Sequence, residues 1–200
     1  TAHFIVSPFT GFRMTHAIDH LRRGDPILAA IIDRVGAYGL RYREPDFDTL
    51  VRSIVYQQLS GRVAAVILGR LVRAAGGGIT PERILRLRPS RMRALGLSNA
   101  KTAYIRDLAR LTGDGVLDFA VLPALSDADV IERLTQVKGI GVWTAQMFLM
   151  FSLRRPDVLP TGDLGIRNAI HRAYSLEDPP KPADIERIAA PWRPWATVAC

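Results

Sequence analysis

Two stretches of the chain carry residue types whose spacing could do chemistry. The first is Leu134-Thr135-Gln136-Val137-Lys138-Gly139-Ile140-Gly141-Val142-Trp143-Thr144-Ala145. An amphipathic run closes near Val137, two glycines flank one apolar residue, and a second apolar run starts at once. Glycine at both positions admits positive φ and the close approach of another backbone. The N–H groups of the turn and of the next helix's first turn then point outward, a cradle for a phosphate oxygen that the helix dipole favours. Thr144 adds a hydroxyl donor, Lys138 faces a phosphate or solvent, and Ile140 buries its side chain between the two helices. Such a cradle holds a phosphate backbone without reading sequence. The same pattern also suits an ordinary corner between helices that ends in glycine.

The second stretch is Leu159-Pro160-Thr161-Gly162-Asp163-Leu164-Gly165-Ile166-Arg167. Pro160 ends what precedes it, Gly162 allows a sharp bend, and Asp163 stands before a helix carrying Ile166, Ala169 and Ile170. Asp in that place is commonly an N-cap. A capping carboxylate can also present an oxygen to a cleft, and spacing alone does not separate the two roles.

The elements that position these stretches read as helices. Asp25-Pro26 is an N-cap followed by Pro at the first helical position, ahead of Ile27, Ile31 and Val35. Asp48 is placed to cap a helix with Leu50, Val51, Ile54 and Val55. Ser60, Thr80-Pro81, Ser90 and Ser98 open the next four, and Gly76-Gly77-Gly78 is a connection lacking the Lys-Ser or Lys-Thr of a phosphate loop. Ser126 with Asp129 has the spacing of a capping box. Val142 to Leu153 reads as a buried helix, and Pro182 opens another. Alternating strand patterns are scarce, so the fold class is all-α.

Composition narrows the partners. Of the 200 residues, 48% are hydrophobic, enough for a packed core, and 27 Lys and Arg against 19 Asp and Glu leave a formal charge of +8. A domain this basic suits a polyanion, nucleic acid first, although a solvated basic surface gives the same total. Cys200 is the only cysteine, which excludes an internal disulfide, a cysteine zinc site and a four-cysteine iron–sulfur cluster. His3, His16, His20 and His171 form no ligand spacing with nearby acids. No apolar run reaches the roughly 20 residues of a membrane span, and Thr1–Arg13 lacks the order of a secretion signal. The expected setting is therefore inside the cell.

Hairpin, glycine/proline connector and an Asp opening the next helix together resemble the helix-hairpin-helix-GPD superfamily of DNA glycosylases. Gln57-Gln58-Leu59-Ser60 after Ile54-Val55, and Pro191-Trp192-Arg193-Pro194-Trp195, look like its 3-methyladenine DNA glycosylase II (AlkA-like) branch. The resemblance covers roughly residues 46 to 200. It implies two helical lobes with a cleft between them for DNA and a flipped base, and a helix-hairpin-helix at about 127–153. The central lobe would be 46–152, and 1–45 with 153–200 the second, in one glycosylase unit of 1–200.

The resemblance also implies roles. Asp163 is the catalytic carboxylate. Gly139, Gly141, Thr144 and Lys138 meet DNA at the hairpin, while Gln57, Gln58 and Leu59 form a loop that enters the minor groove. Without the family, that loop is equally a polar helix end. Carbonyls of Thr135, Val137 and Gly139 are expected to hold a sodium or potassium ion when DNA is bound. Members that cleave the DNA strand carry a Lys two positions after the second glycine; here that position is Trp143. The expected activity is therefore hydrolysis alone, releasing alkylated purines. Trp143, Tyr56 and Met147 are candidates for the base pocket, with core packing the other reading of Trp143 amid Met147, Phe148 and Phe151. Trp192 and Trp195 read as structural. The expected partner is damaged double-stranded DNA, bound by a monomer without a membrane, in the nucleoid of a bacterium or the nucleus of a eukaryote. The competing expectations are a hairpin module that binds DNA without chemistry, and a glycosylase for deaminated or oxidised purines.

Overall fold

The computed structural model describes residues 11–200 and side chains from residue 14. His3, and most of the segment compared with a secretion signal, lie outside the described residues. Within them the regular structure is all helical, with no strand. The order is α1 (Gly11–Gly24), α2 (Pro26–Val35), α3 (Phe47–Tyr56), α4 (Gly61–Ala74), α5 (Pro81–Arg86) and α6 (Pro89–Ala94). There follow α7 (Asn99–Gly113), α8 (Asp127–Thr135), α9 (Val142–Phe151), α10 (Leu164–Ala173), α11 (Pro182–Ile188) and α12 (Ala196–Ala199). Short 3₁₀ turns lie at Leu122–Ala124 and Ala190–Trp192. None of these helices is long and apolar enough to cross a membrane.

Local chemistry explains most of the boundaries. Asp25 accepts from the N–H groups of Ile27 and Leu28. Ser60, Thr80, Ser98 and Ser126 each accept from an N–H in the first turn of their helix, satisfying a donor that has no intrahelical partner. Three expectations need correction. Asp46, not Asp48, caps α3, its Oδ1 accepting from Thr49 N at 2.9 Å. α6 starts at Pro89 rather than Ser90, with no side-chain cap, because its N-cap residue is Arg88, whose side chain has donors but no acceptor for a first-turn N–H. Ser126 makes half a capping box: its hydroxyl accepts from Asp129 N and donates to Asp129 Oδ2.

The chain folds as two compact units, one of Glu44–Phe148 and one of the segment up to Arg43 together with Leu149–Cys200. The second boundary falls inside α9 rather than after residue 152, because one continuous helix serves both units and its middle gives no break in pattern.

The Glu44–Phe148 unit has a core of Leu50, Ile54, Leu71, Ile84, Ile105, Leu108 and Leu134, all fully buried. These come from α3, α4, α5, α7 and α8, the elements that carry or brace the hairpin. The other unit packs Leu21, Leu28, Leu159, Ile170, Ile185 and Trp192 together. Its polar centre is Asp25, only 6% exposed. Besides capping α2, Asp25 Oδ2 accepts from Trp192 Nε1 at 2.8 Å and from the Tyr174 hydroxyl. Burial works against the charged carboxyl, but these hydrogen bonds outweigh it and hold Asp25 below the usual range. Trp192 thus has the structural place read for it, at 4% exposure.

Candidate active site and nucleic-acid interface

The hairpin is the six-residue connection between α8 and α9, 136–141. Gly139 has φ +79°, and a Cβ there would lie 2.1 Å from the Tyr104 ring. Only glycine fits that backbone against that ring. Gly141 differs from its sequence reading: its φ lies outside the left-handed region and a Cβ would meet nothing within 4 Å. Ile140 is buried at 4% exposure and ties the turn to the core.

Accounting for the N–H groups narrows the set of donors open to the expected phosphate. Ile140 N donates to Val137 O, and Lys138 N donates to Asp107 Oδ2 at 3.0 Å. The donors left to the turn are therefore the N–H groups of Gly139 and Gly141, which have no acceptor among the described residues. Asp107 is held below the usual carboxylate range: burial opposes its charge, but the Lys138 N–H and Arg110 outweigh it. Thr144 is 7% exposed, so its hydroxyl sits in a cleft wall rather than on open surface beside the glycines.

That cleft, about 730 Å³, lies in the Glu44–Phe148 unit. Tyr56, Trp143 and Met147 line it, as do Gln57, Gln58 and Gly139. Trp143 is 48% exposed, so core packing does not account for it. Val142 and Trp143, which open α9, are exposed, contrary to the fully buried helix expected, while Thr144 and Ala145 beside them are already buried. Leu59 and Lys138 are exposed outside the cleft lining.

Three residues that brace the hairpin and the loop after α3 were given no role in the sequence reading, and they lie on α7. Lys101 Nζ donates to Val55 O and Gln57 O at 2.7 and 2.6 Å. Tyr104 packs under Gly139, and Asp107 anchors Lys138. Their three-residue spacing puts them along one helix face, and that polar stripe was the available signal. Their partners are distant in sequence, which periodicity cannot supply.

Asp163 lies in the other unit. It caps α10, with Oδ1 accepting from Ile166 N at 2.9 Å, and its own N–H donates to Pro160 O at 2.9 Å. The cap uses one of two carboxylate oxygens. A Cβ on Gly165 would come 3.0 Å from Asp163 Oδ1, so the glycine leaves room for the carboxylate. At the expected cation position, Val137 O accepts from Ile140 N and Gly139 O from Gln57 Nε2 at 2.9 Å. A carbonyl oxygen has two lone pairs, so these neutral, hard donors together with Thr135 O still suit an alkali-metal ion.

The match to known proteins follows this layout. The family model for HhH-GPD superfamily base excision DNA repair proteins matches residues 51–194, from α3 through the hairpin and Asp163 to Pro194. The chain belongs to that superfamily. DNA-3-methyladenine glycosylase 1 of Schizosaccharomyces pombe is 35% identical to this HhH-GPD chain over 92% of it and 87% of the relative. The crystal structure of DNA-3-methyladenine glycosidase from Bacillus halodurans superposes with a TM-score of 0.83 at 35% identity, covering 99% of this chain and 88% of that one. An S. pombe 3-methyladenine DNA glycosylase, solved in complex with abasic DNA, gives 0.82 at 34% identity over 92% of each chain. The all-α fold is that of these enzymes, and DNA is the partner of the family.

Proposed function

We propose that this chain is a monofunctional DNA glycosylase of base excision repair that hydrolyses the N-glycosidic bond of flipped-out alkylated purines. The observation that carries the reading is Trp143, half exposed in the wall of the cleft beside Gly139. An indole there stacks on an electron-poor, cationic base. It also occupies the position where a strand-cleaving relative would need a lysine, and it has no amine with which to form a Schiff base.

The chemistry suits these groups. As the base departs with the bonding electrons, positive charge builds at C1′, and a fixed carboxylate stabilises it. Asp163 takes that role, with water adding at C1′ and giving up its proton to complete hydrolysis. A base methylated at N3 or N7 is already cationic and leaves as a neutral species, so little acid catalysis is needed. Tyr56 and Met147 complete the walls of the base pocket. The Gly139 and Gly141 N–H groups hold a phosphate, with Lys138 nearby, and the Gln57–Leu59 loop enters the minor groove to replace the extruded base. Thr144 supports the hairpin from the cleft wall. The carbonyls of Thr135, Val137 and Gly139 would hold a sodium or potassium ion that adds positive charge beside the bound phosphate. The enzyme works as a monomer on damaged duplex DNA, in a bacterial nucleoid or a eukaryotic nucleus.

One observation favours a second reading, a hairpin module without chemistry: Asp163 has the full geometry of a helix cap. Asp163→Asn separates the two, since asparagine retains the capping oxygen and removes the charge. With DNA containing 7-methylguanine or 3-methyladenine, the wild type is expected to release free base and Asp163→Asn to lose release about a hundredfold or more, with unchanged DNA binding. Equal release by both proteins sinks the assignment of Asp163.

A further inference from the structure

The loop after α3 is held by a side chain that belongs to none of the sequence motifs. The last carbonyls of a helix have no intrahelical partner, and Lys101 Nζ supplies one to two carbonyls at this helix end, Val55 O at 2.7 Å and Gln57 O at 2.6 Å. Its charge also suits the negative end of the helix dipole. Desolvation pushes the ammonium below its ordinary range, and the same dry setting strengthens its hydrogen bonds. The next residue, Gln58, has φ +55°. A non-glycine residue keeps that left-handed conformation only where its surroundings compensate, and such strain gathers at functional segments. Gln57 Nε2 in turn donates to Gly139 O at 2.9 Å. One ammonium therefore fixes the backbone of a loop whose side chain is fastened to the hairpin.

We propose that Lys101 is a positioning residue that holds the Gln57–Leu59 loop in its strained form, and is needed to extrude a base from a paired duplex but not to cleave its glycosidic bond. The inference rests on the reading of that loop as the part that enters the minor groove. It also couples the loop to the hairpin: a phosphate seated at Gly139 and a loop seated in the groove share one hydrogen-bonded frame.

The test compares wild type, Lys101→Met, which keeps the aliphatic stem but has no donor, and Lys101→Arg, which restores the cation. Single-turnover release of 7-methylguanine is measured from a fully paired duplex and from one with the lesion opposite an abasic gap. Fluorescence of 2-aminopurine beside the lesion reports extrusion, and circular dichroism reports folding. Lys101→Met is expected to lose about tenfold or more on the paired duplex and the fluorescence rise, to stay within about twofold on the gapped one, and to be rescued in large part by arginine. Equal loss on both DNAs, or a fluorescence rise that survives in Lys101→Met, overturns the proposal. If Lys101→Met does not fold, Lys101→Gln carries the same comparison. A wild type that raises fluorescence yet frees no base refutes the glycosylase reading alone.

Discussion

Gly139→Ala should be the most damaging single-methyl addition in the hairpin, and its cost can be worked out in two parts. At φ +79° an alanine is forced into the left-handed region, at about 1–2 kcal/mol. Its Cβ would also sit 2.1 Å from Cδ2 and 2.4 Å from Cε2 of Tyr104, so the ring must move, and overpacking of that kind costs about 1–3 kcal/mol. The sum is about 2–5 kcal/mol, a large share of the stability of an ordinary domain. Gly141→Ala has neither penalty, since its Cβ would point into open space, and should change stability by no more than about 0.5 kcal/mol. Urea unfolding measures both, and a double-mutant cycle with Tyr104→Ala isolates the steric part. Without the ring, Gly139→Ala should cost only its backbone strain, so the cycle should show coupling of about 1–3 kcal/mol. Additive effects, or a Gly139→Ala no worse than Gly141→Ala, would refute the packing argument. Duplex binding by gel shift should fall for Gly139→Ala whatever the DNA sequence, because the displaced turn carries the N–H proposed to hold a phosphate.

Other expectations follow from the same geometry. Gly165→Ala should slow base release by about tenfold with DNA affinity unchanged, because its Cβ crowds Asp163 Oδ1 at 3.0 Å; single-turnover release against binding isotherms checks this. Asp25→Asn should cost about 1–3 kcal/mol by leaving the buried Trp192 N–H facing an amide donor, measured by denaturant unfolding monitored through tryptophan fluorescence. Because the folded Asp25 carboxyl lies below its ordinary value of 3.8, its contribution is complete above that value. It drains away as pH falls from there through the lower folded value, so the stability of wild type should decline with falling pH below about 3.8 more steeply than that of Asp25→Asn. Borohydride with wild-type protein and lesion DNA should trap no covalent adduct by denaturing electrophoresis, and a trapped adduct would contradict the reading of Trp143.

How much of the site was legible depends on how local each feature is. The caps at Asp25, Ser60, Ser98 and Asp163 were readable because a cap is a contract between residues three apart. The hairpin was readable for the same reason, through the Gly139-Ile140-Gly141 order. The different needs of the two glycines were not. Gly139 is required by the Tyr104 ring, which lies far back in the chain, whereas Gly141 has open space. Likewise the sequence leaves the hairpin N–H groups all alike, and Asp107 removes one of them from the set.

The sequence by itself determined an all-α chain, its main helix starts, a glycine-turned hairpin and a carboxylate opening α10, since these rest on periodicity, capping and turn chemistry within a few residues. Tertiary structure decided the rest. It put Trp143 in a cleft wall instead of the core, brought Lys101 under the end of α3, fastened Gln57 to Gly139, and divided α9 between two units. Each of these depends on which helix faces which. That choice is made by burial of apolar surface across the whole unit, a non-directional force that leaves no mark at any one position in the chain.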